Sequence, residues 1–198
     1  DAAVFNVPSF QGKSILWMEG KFGGAIKFDA TYFLAVSNYF GIGGRTPRTI
    51  SMWLKTVRIV DNSPILGWGP NVPEQRWHVK VEHLAAGNGT LRTENQGGNN
   101  WGSVSVKDGQ WHHVASVFPD GGKLIGDVNH YIDGVLDPAK NGALTNPLNT
   151  NIDPATAAPL TIGGAPLGLG GTLYPVDAVL DDVRLYSRAL NPAEIAAL

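Results

Sequence analysis

Apolar and polar positions alternate in short runs along most of the chain. Between Thr49 and Lys55, Ile50, Met52 and Leu54 fall on one face and Ser51, Trp53 and Lys55 on the other, the period of a half-buried strand. Residues 76–82 alternate the same way, with Trp77, Val79 and Val81 on the apolar face. Residues 63–69 form a short apolar run, and 101–106, 110–118, 130–133, 160–163 and 178–186 read as further strands. Turn signals separate them: Asp108-Gly109, Asp133-Gly134, Asn88-Gly89 and Gly97-Gly98. The stretch 140–159, rich in Asn, Thr, Ala and Pro, predicts a long surface loop. One helix is predicted, at the end of the chain. Asn191 caps it, Pro192 fits its first turn and Glu194 stands three residues after the cap. The helix is expected to tuck against the sheets rather than perform chemistry. Together these elements predict an all-β fold, a two-sheet antiparallel jelly-roll sandwich with a short C-terminal helix. Residues 1–198 read as one domain, a module of a larger protein. Parallel βαβ units would need helices between the strands, and none is predicted there.

Composition narrows the function. The chain has 198 residues, with 25 Gly, 13 Pro and 16% charged residues, a balance that suits many turns and disfavours long surface helices. The net charge of −2 provides no basic field for nucleic acid. No run of 18 apolar residues is present, so no membrane span is expected. The absence of Cys removes cysteine catalysis, cysteine-ligated zinc and disulfides. The chain begins at Asp1 rather than Met, as a mature product or an excised piece would.

Three motifs resemble one family. Gly20-Lys-Phe-Gly-Gly-Ala-Ile-Lys-Phe-Asp29 is similar to the entry segment of bacterial laminin-G-like domains, in the concanavalin A-like lectin/glucanase superfamily. Gly109-Gln-Trp-His-His-Val-Ala115 followed by Tyr131-Ile-Asp-Gly134 resembles its central signature. Leu160-Thr-Ile-Gly-Gly164, then residues 180–190 and Glu194-Ile195, resemble its closing signature. The motifs stand in family order over residues 20–198. The resemblance implies a jelly roll of two antiparallel sheets, one of them concave. Two departures stand out. Ala30 occupies the position after Phe-Asp where members usually carry Gly. Residues 1–19 are too short for the full upstream strand of many members, which implies either a trimmed chain or Val4–Val7 as a substitute.

Hydrolysis needs paired carboxylates about 5 Å or about 6.5–9.5 Å apart. Glu19, Glu74, Glu82, Glu94 and Glu194 form no such pattern on one strand face. His112 and His113 are adjacent on a strand and point to opposite faces, so they cannot share a metal; one of them is expected to be a hydrogen-bonded structural histidine. Calcium is the best inorganic candidate, because hard cations want carboxylate and carbonyl oxygens. If Val183 and Leu185 face the core, Asp181 is aimed inward too, and an inward carboxylate must be satisfied. Asp181 with Asp29 is the predicted structural calcium pair. The alternative is that Asp181 accepts backbone N–H groups or pairs with His113 or an Arg.

Glycan binding is the main expectation. Sugar rings stack on aromatic faces, and their hydroxyls want amide and carboxylate partners. Residues 94–101 set Asn95 and Asn100 beside Trp101 in a Gly-rich stretch; Trp68 lies between glycines near Asn71 and Gln75, and Tyr174 in a Gly/Pro-rich loop. Trp68, Asn95, Asn100, Trp101 and Tyr174 are the predicted ligand-binding residues. Trp53 and Trp111, inside strand signatures, are expected to pack in the core or line the sheet. The expected protein is a noncatalytic, extracellular or cell-envelope module that recognises a carbohydrate. The alternatives are a protein-binding or spacer domain and, least favoured, a glycoside hydrolase. Asn88-Gly-Thr90 fits a glycosylation sequon but serves equally as a turn.

Overall fold

The computed structural model describes residues 15–60, 63–84, 88–166 and 173–198, with the backbone alone at 166 and 173–175. Val4–Val7 therefore lies outside the described residues. The strands run β1 (Leu16–Glu19), β2 (Gly24–Asp29), β3 (Leu34–Ala35), β4 (Arg48–Lys55), β5 (Pro64–Trp68), β6 (Trp77–Val81), β7 (Thr90–Glu94) and β8 (Asn99–Ser105). They continue as β9 (His112–Phe118), β10 (Asn129–Ile132), β11 (Val135–Asp137), β12 (Thr161–Ile162), β13 (Gly164–Pro166), β14 (Leu173–Pro175) and β15 (Asp177–Tyr186), before helix α1 (Pro192–Ala196). A seven-stranded sheet has the order β1-β2-β15-β4-β9-β10-β11, and a six-stranded sheet the order β3-β12-β5-β6-β7-β8. Strands β13 and β14 form a separate hairpin. Among the described residues all the pairings are antiparallel.

Alternation decides which side chains fill the space between the sheets. From the seven-stranded sheet come Ile50, Met52, Leu54, Val114, Phe118, Ile132, Ala178 and Leu180; from the other come Leu66, Trp68, Trp77, Val79, Val81 and Leu91. Each of the Val, Leu, Ile, Met and Phe side chains among them contributes about 1.5–3 kcal/mol when fully buried. Arg48 is also buried here, and burial lowers its pKa to about 10. Its guanidinium donates to the carbonyls of Ile42, Gly44 and Thr46, and it lies 5.1 Å from the Trp77 ring centroid and 5.7 Å from that of Phe118. It thus ties the loop after β3 to the aromatic centre. Thr93 and Ser116 bond across the core, and Thr93 also meets His130 Nε2 at 2.9 Å. At the sheet edges Asp137 of β11 accepts from the Ser103 and Val104 amides of β8 at 2.6 and 2.8 Å.

The predicted helix forms with both halves of its capping box. Its Ile195, with Leu190, packs on Ala115, Val117 and Tyr131, on the outer face of the seven-stranded sheet. The 140–159 stretch is a loop, as expected, pinned by isolated bridges from Asn141 to Trp101, Pro147 to Leu124 and Thr150 to Gly44. Ala30 sits at φ 62°, left-handed backbone that favours glycine. That conformation fits the Gly the resemblance leads one to expect there.

One expectation fails for a clear reason. The β15–β4 register shifts between Asp181 and Arg184, a bulge with Asp182 at φ 47°. A bulge inserts a residue and reverses the alternation beyond it. Val183 and Leu185 do pack on the core, but Asp181 lies opposite Trp53 on the outer face of its sheet. Among the described residues, no helix is long and apolar enough to cross a membrane.

Candidate functional site

The outer face of the six-stranded sheet carries adjoining rows of polar side chains. Directly opposed residues in an antiparallel pair share a face. The register gives one row Thr161, Gly67, His78, Glu94, Asn99 and a second row Lys80, Arg92, Trp101. Arg76 and Glu82 flank β6 on the same parity. This is the partner face of the Trp77-Val79-Val81 stripe: β6 is apolar toward the core and charged away from it.

Glu94 is the hub. It pairs with Arg76, with Lys80 at 3.1 Å and with Arg92 at 2.5 Å. Arg92 reaches Glu82 with its other Nη at 2.8 Å. The remaining Glu82 oxygen accepts from the His83 and Leu84 amides at 2.8 and 3.0 Å. Arg76 donates to Asn71 at 2.6 Å. All six charged or imidazole side chains are buried, from 0% exposure at Glu82 to 9% at Arg92. Burial works to raise the Glu82 pKa, but the amides and Arg92 outweigh it and hold it below the usual value. Burial lowers the Arg76 pKa to about 10, and the neighbouring Arg92 adds to the effect. Burial, with Arg76 and Lys80 nearby, lowers His78 well below an ordinary histidine, so it is neutral at pH 7. Well-packed apolar residues often match or exceed such a network in stability. A buried charged face is therefore a functional candidate.

Trp101 borders this network, half-buried and opposite Arg92. Gly142, at φ 106°, lies on its ring: a Cβ there would stand 2.4 Å from Trp101 Cζ3. The other predicted ligand residues are placed differently. Trp68 is in the core at 1% exposure, stacked on Trp77 with centroids 6.2 Å apart. Its indole N–H donates to Ile42, and Gly41, at φ 83°, presses so close that a Cβ would sit 2.4 Å from the ring. No sugar can stack on it. Asn95 is buried as a turn clamp, donating to the Pro147 carbonyl at 2.5 Å and accepting from Gly98 N–H. Asn100 points inward and donates to the Val128 carbonyl at 2.8 Å, because alternation puts it on the face opposite Trp101. The Tyr174 side chain lies outside the described residues.

Asp29 is exposed and accepts from the Thr31 amide and hydroxyl. Asp181 accepts from the amides of Phe22 and Asp182 at 2.8 and 2.7 Å, the alternative reading of this carboxylate. Asp29 pairs with Asp177 in register, so Asp181 stands roughly 13 Å further along the sheet at about 3.3 Å per residue. One calcium ion, with ligands at about 2.3–2.6 Å, cannot bridge the two. Among the described residues no three His, Asp or Glu gather as a metal set. His112 is hydrogen-bonded between Asp133 and Asp108, at 2.8 and 3.1 Å.

Arg76, Lys80, Glu82, Arg92 and Glu94 are the residues the sequence reading missed. The signal was present: residues 76, 78, 80 and 82 are polar at period two, the complement of an apolar stripe. Thr90-Leu-Arg-Thr-Glu94 carries a weak strand signal, because only Leu91 is strongly apolar. One other concavity, lined by Thr56, Arg58, Ile65, Val176 and Asp177, has a volume near 20 Å³, room for about one water.

Two packed antiparallel sheets with a short helix on the outer face of one define a concanavalin A-like β-sandwich. The family model Laminin_G_3, of the concanavalin A-like lectin/glucanases superfamily, matches residues 29–196, and the chain belongs to that family. No curated protein matches it in sequence. Among solved structures it is similar to domain 4 of AbnA, a GH43 extracellular arabinanase from Geobacillus stearothermophilus, in complex with arabinotriose. The TM-score is 0.69 at 19% identity, covering 98% of this chain and 84% of that one. It is similar to the binding domain of Paraclostridial Mosquitocidal Protein 1, with TM-score 0.61 and 15% identity, over 98% of this chain and 46% of that one. A heptameric SAP-like pentraxin from Limulus polyphemus follows, with TM-score 0.57 and 18% identity, over 87% and 79% of the two chains. The chain thus spans most of the arabinanase domain and just under half of the toxin chain. At these identities the likeness is one of fold.

Proposed function

We propose that this chain is a noncatalytic carbohydrate-recognition module whose ligand meets the outer face of the six-stranded sheet at Trp101. The observation that carries the reading is the convergence of an aromatic ring with buried charged donors and acceptors on one face. A sugar presents the same two chemistries, an apolar ring face and polar hydroxyls. The family's lectin/glucanases superfamily and a fold neighbour bound to arabinotriose support it. That neighbour belongs to an extracellular arabinanase, which supports an extracellular setting beside other domains of a longer protein.

Hydrolysis is the rival chemistry. Glu82 and Glu94 share one guanidinium, at 2.8 and 2.5 Å, so their carboxylates lie close together. A glycosidase needs one carboxyl with a raised pKa to protonate the leaving oxygen. Here Arg92 occupies the space between the pair, and Glu82 is held below its usual pKa. The arrangement suits binding rather than proton donation. A glycan array spanning neutral and acidic oligosaccharides tests the proposal, with wild type beside Trp101→Ala. Binding to a defined glycan set that the variant loses is the expected result. Absence of binding to every glycan overturns it and favours a protein ligand.

A further inference from the structure

The hydrogen-bond inventory of the same face points to a class of ligand. Every oxygen of its two glutamates already takes a donor. Glu94 holds Arg76 on one oxygen and Lys80 and Arg92 on the other, while Glu82 holds Arg92 on one oxygen and two amides on the other. Its donors are not all used. Arg76 Nε and Arg92 Nε are buried with no hydrogen-bond partner. A buried donor left unmade costs free energy, and both of these belong to guanidinium groups. Such cations bond most strongly to anions, and their planar fork matches a carboxylate or sulfate. Trp101, opposite Arg92 and half-buried, supplies an aromatic surface beside them.

We infer that the face recognises an anionic sugar residue, its acidic group received by Arg76 and Arg92. This rests on the carbohydrate reading above and deepens it. A neutral sugar would offer the guanidinium groups only hydroxyls, whose bonds lack the second charge.

Calorimetric titration of the full chain tests it with four probes: an oligogalacturonide, its carboxyl-reduced counterpart, sialyllactose and a heparin-derived oligosaccharide. The inference expects at least one acidic probe to bind about 10- to 100-fold tighter than the neutral one. It expects that advantage to shrink as salt is raised. The acidic probe that binds identifies the source of the anion, uronate, sialate or sulfate. Arg76→Lys keeps the charge beside Glu94 and removes the fork, so it should erase about tenfold of the preference. If that variant does not fold, the acidic-to-neutral ratio and its salt dependence in the wild type decide. Equal binding of the oligogalacturonide and its reduced form, with no preference for the other acids, overturns the anionic inference and leaves the carbohydrate reading standing. Absence of binding to all four, together with an empty glycan array, overturns both.

Discussion

Replacing Glu94 by Gln probes how strongly the charged face is held together. The substitution keeps shape and removes one charge. Its three cationic partners and Glu94 itself are between 5% and 11% exposed at the side chain, so water does little to replace what is lost. Gln can still accept at one atom, but its NH₂ would face a cation. Breaking a buried ion pair by removing one partner costs about 3–5 kcal/mol, and a carboxylate serving three cations belongs at the upper end. For a domain of this size each kcal/mol lowers the melting temperature by about 2–4 °C, so a fall of roughly 10–20 °C is expected. Urea unfolding followed by tryptophan fluorescence should show a lower midpoint with an unchanged slope. A variant within about 1 kcal/mol of wild type would refute the claim that these ion pairs are desolvated.

Ala30→Gly should stabilise the domain, because left-handed backbone costs a non-glycine residue about 1–2 kcal/mol while glycine adds about 0.4–1 kcal/mol of unfolded-state entropy; a melting temperature at or below wild type contradicts the strained turn. His130 is buried, and burial lowers its pKa to about 4. The unfolded chain therefore takes up a proton that the folded one refuses, and stability should fall as pH drops from 6.5 toward 4. At about 1.4 kcal/mol per pH unit the loss is about 3 kcal/mol, and His130→Gln should flatten this acid limb in pH-dependent urea melts. Glu82, held low, adds to the same loss at lower pH. His112 acts oppositely: burial would lower its pKa, but Asp133 and Asp108 outweigh it and raise it. Its contribution is present below pH 6.5 and fades as pH rises through the raised value, so His112→Ala should cost more stability at pH 5.5 than at pH 9. Calcium added to metal-stripped protein should leave the melting temperature unchanged if Asp181 serves only backbone amides; a rise that Asp181→Asn abolishes would restore a metal there.

The fold was legible because period-two runs and Gly-containing turns mark strands regardless of context. The 48–55 and 112–118 strands follow directly from apolar spacing, and the Asn191 capping box from three residues. The site was less legible. Asn95 and Asn100 look like surface amides in a Gly-rich stretch, but the packing of the Val128 and Pro147 carbonyls against them buries both. Trp68 looks exposed between two glycines, when Gly41 from a distant segment closes over it. Asp181 was turned outward by a bulge that alternation alone cannot reveal. The charged face needed strand pairing to emerge, since Glu82 and Glu94 meet only through Arg92.

The central claim is that a carbohydrate binds the outer face of the six-stranded sheet. Amide and indole chemical shifts of the full chain, followed during titration with an oligogalacturonide, test it most directly. The account predicts shifts concentrated at Arg76, His78, Arg92, Glu94 and the Trp101 indole, with the outer face of the other sheet around Trp53 and Phe22 unmoved. Shifts centred on Trp53 and Phe22, with Trp101 and its neighbours silent, would contradict it.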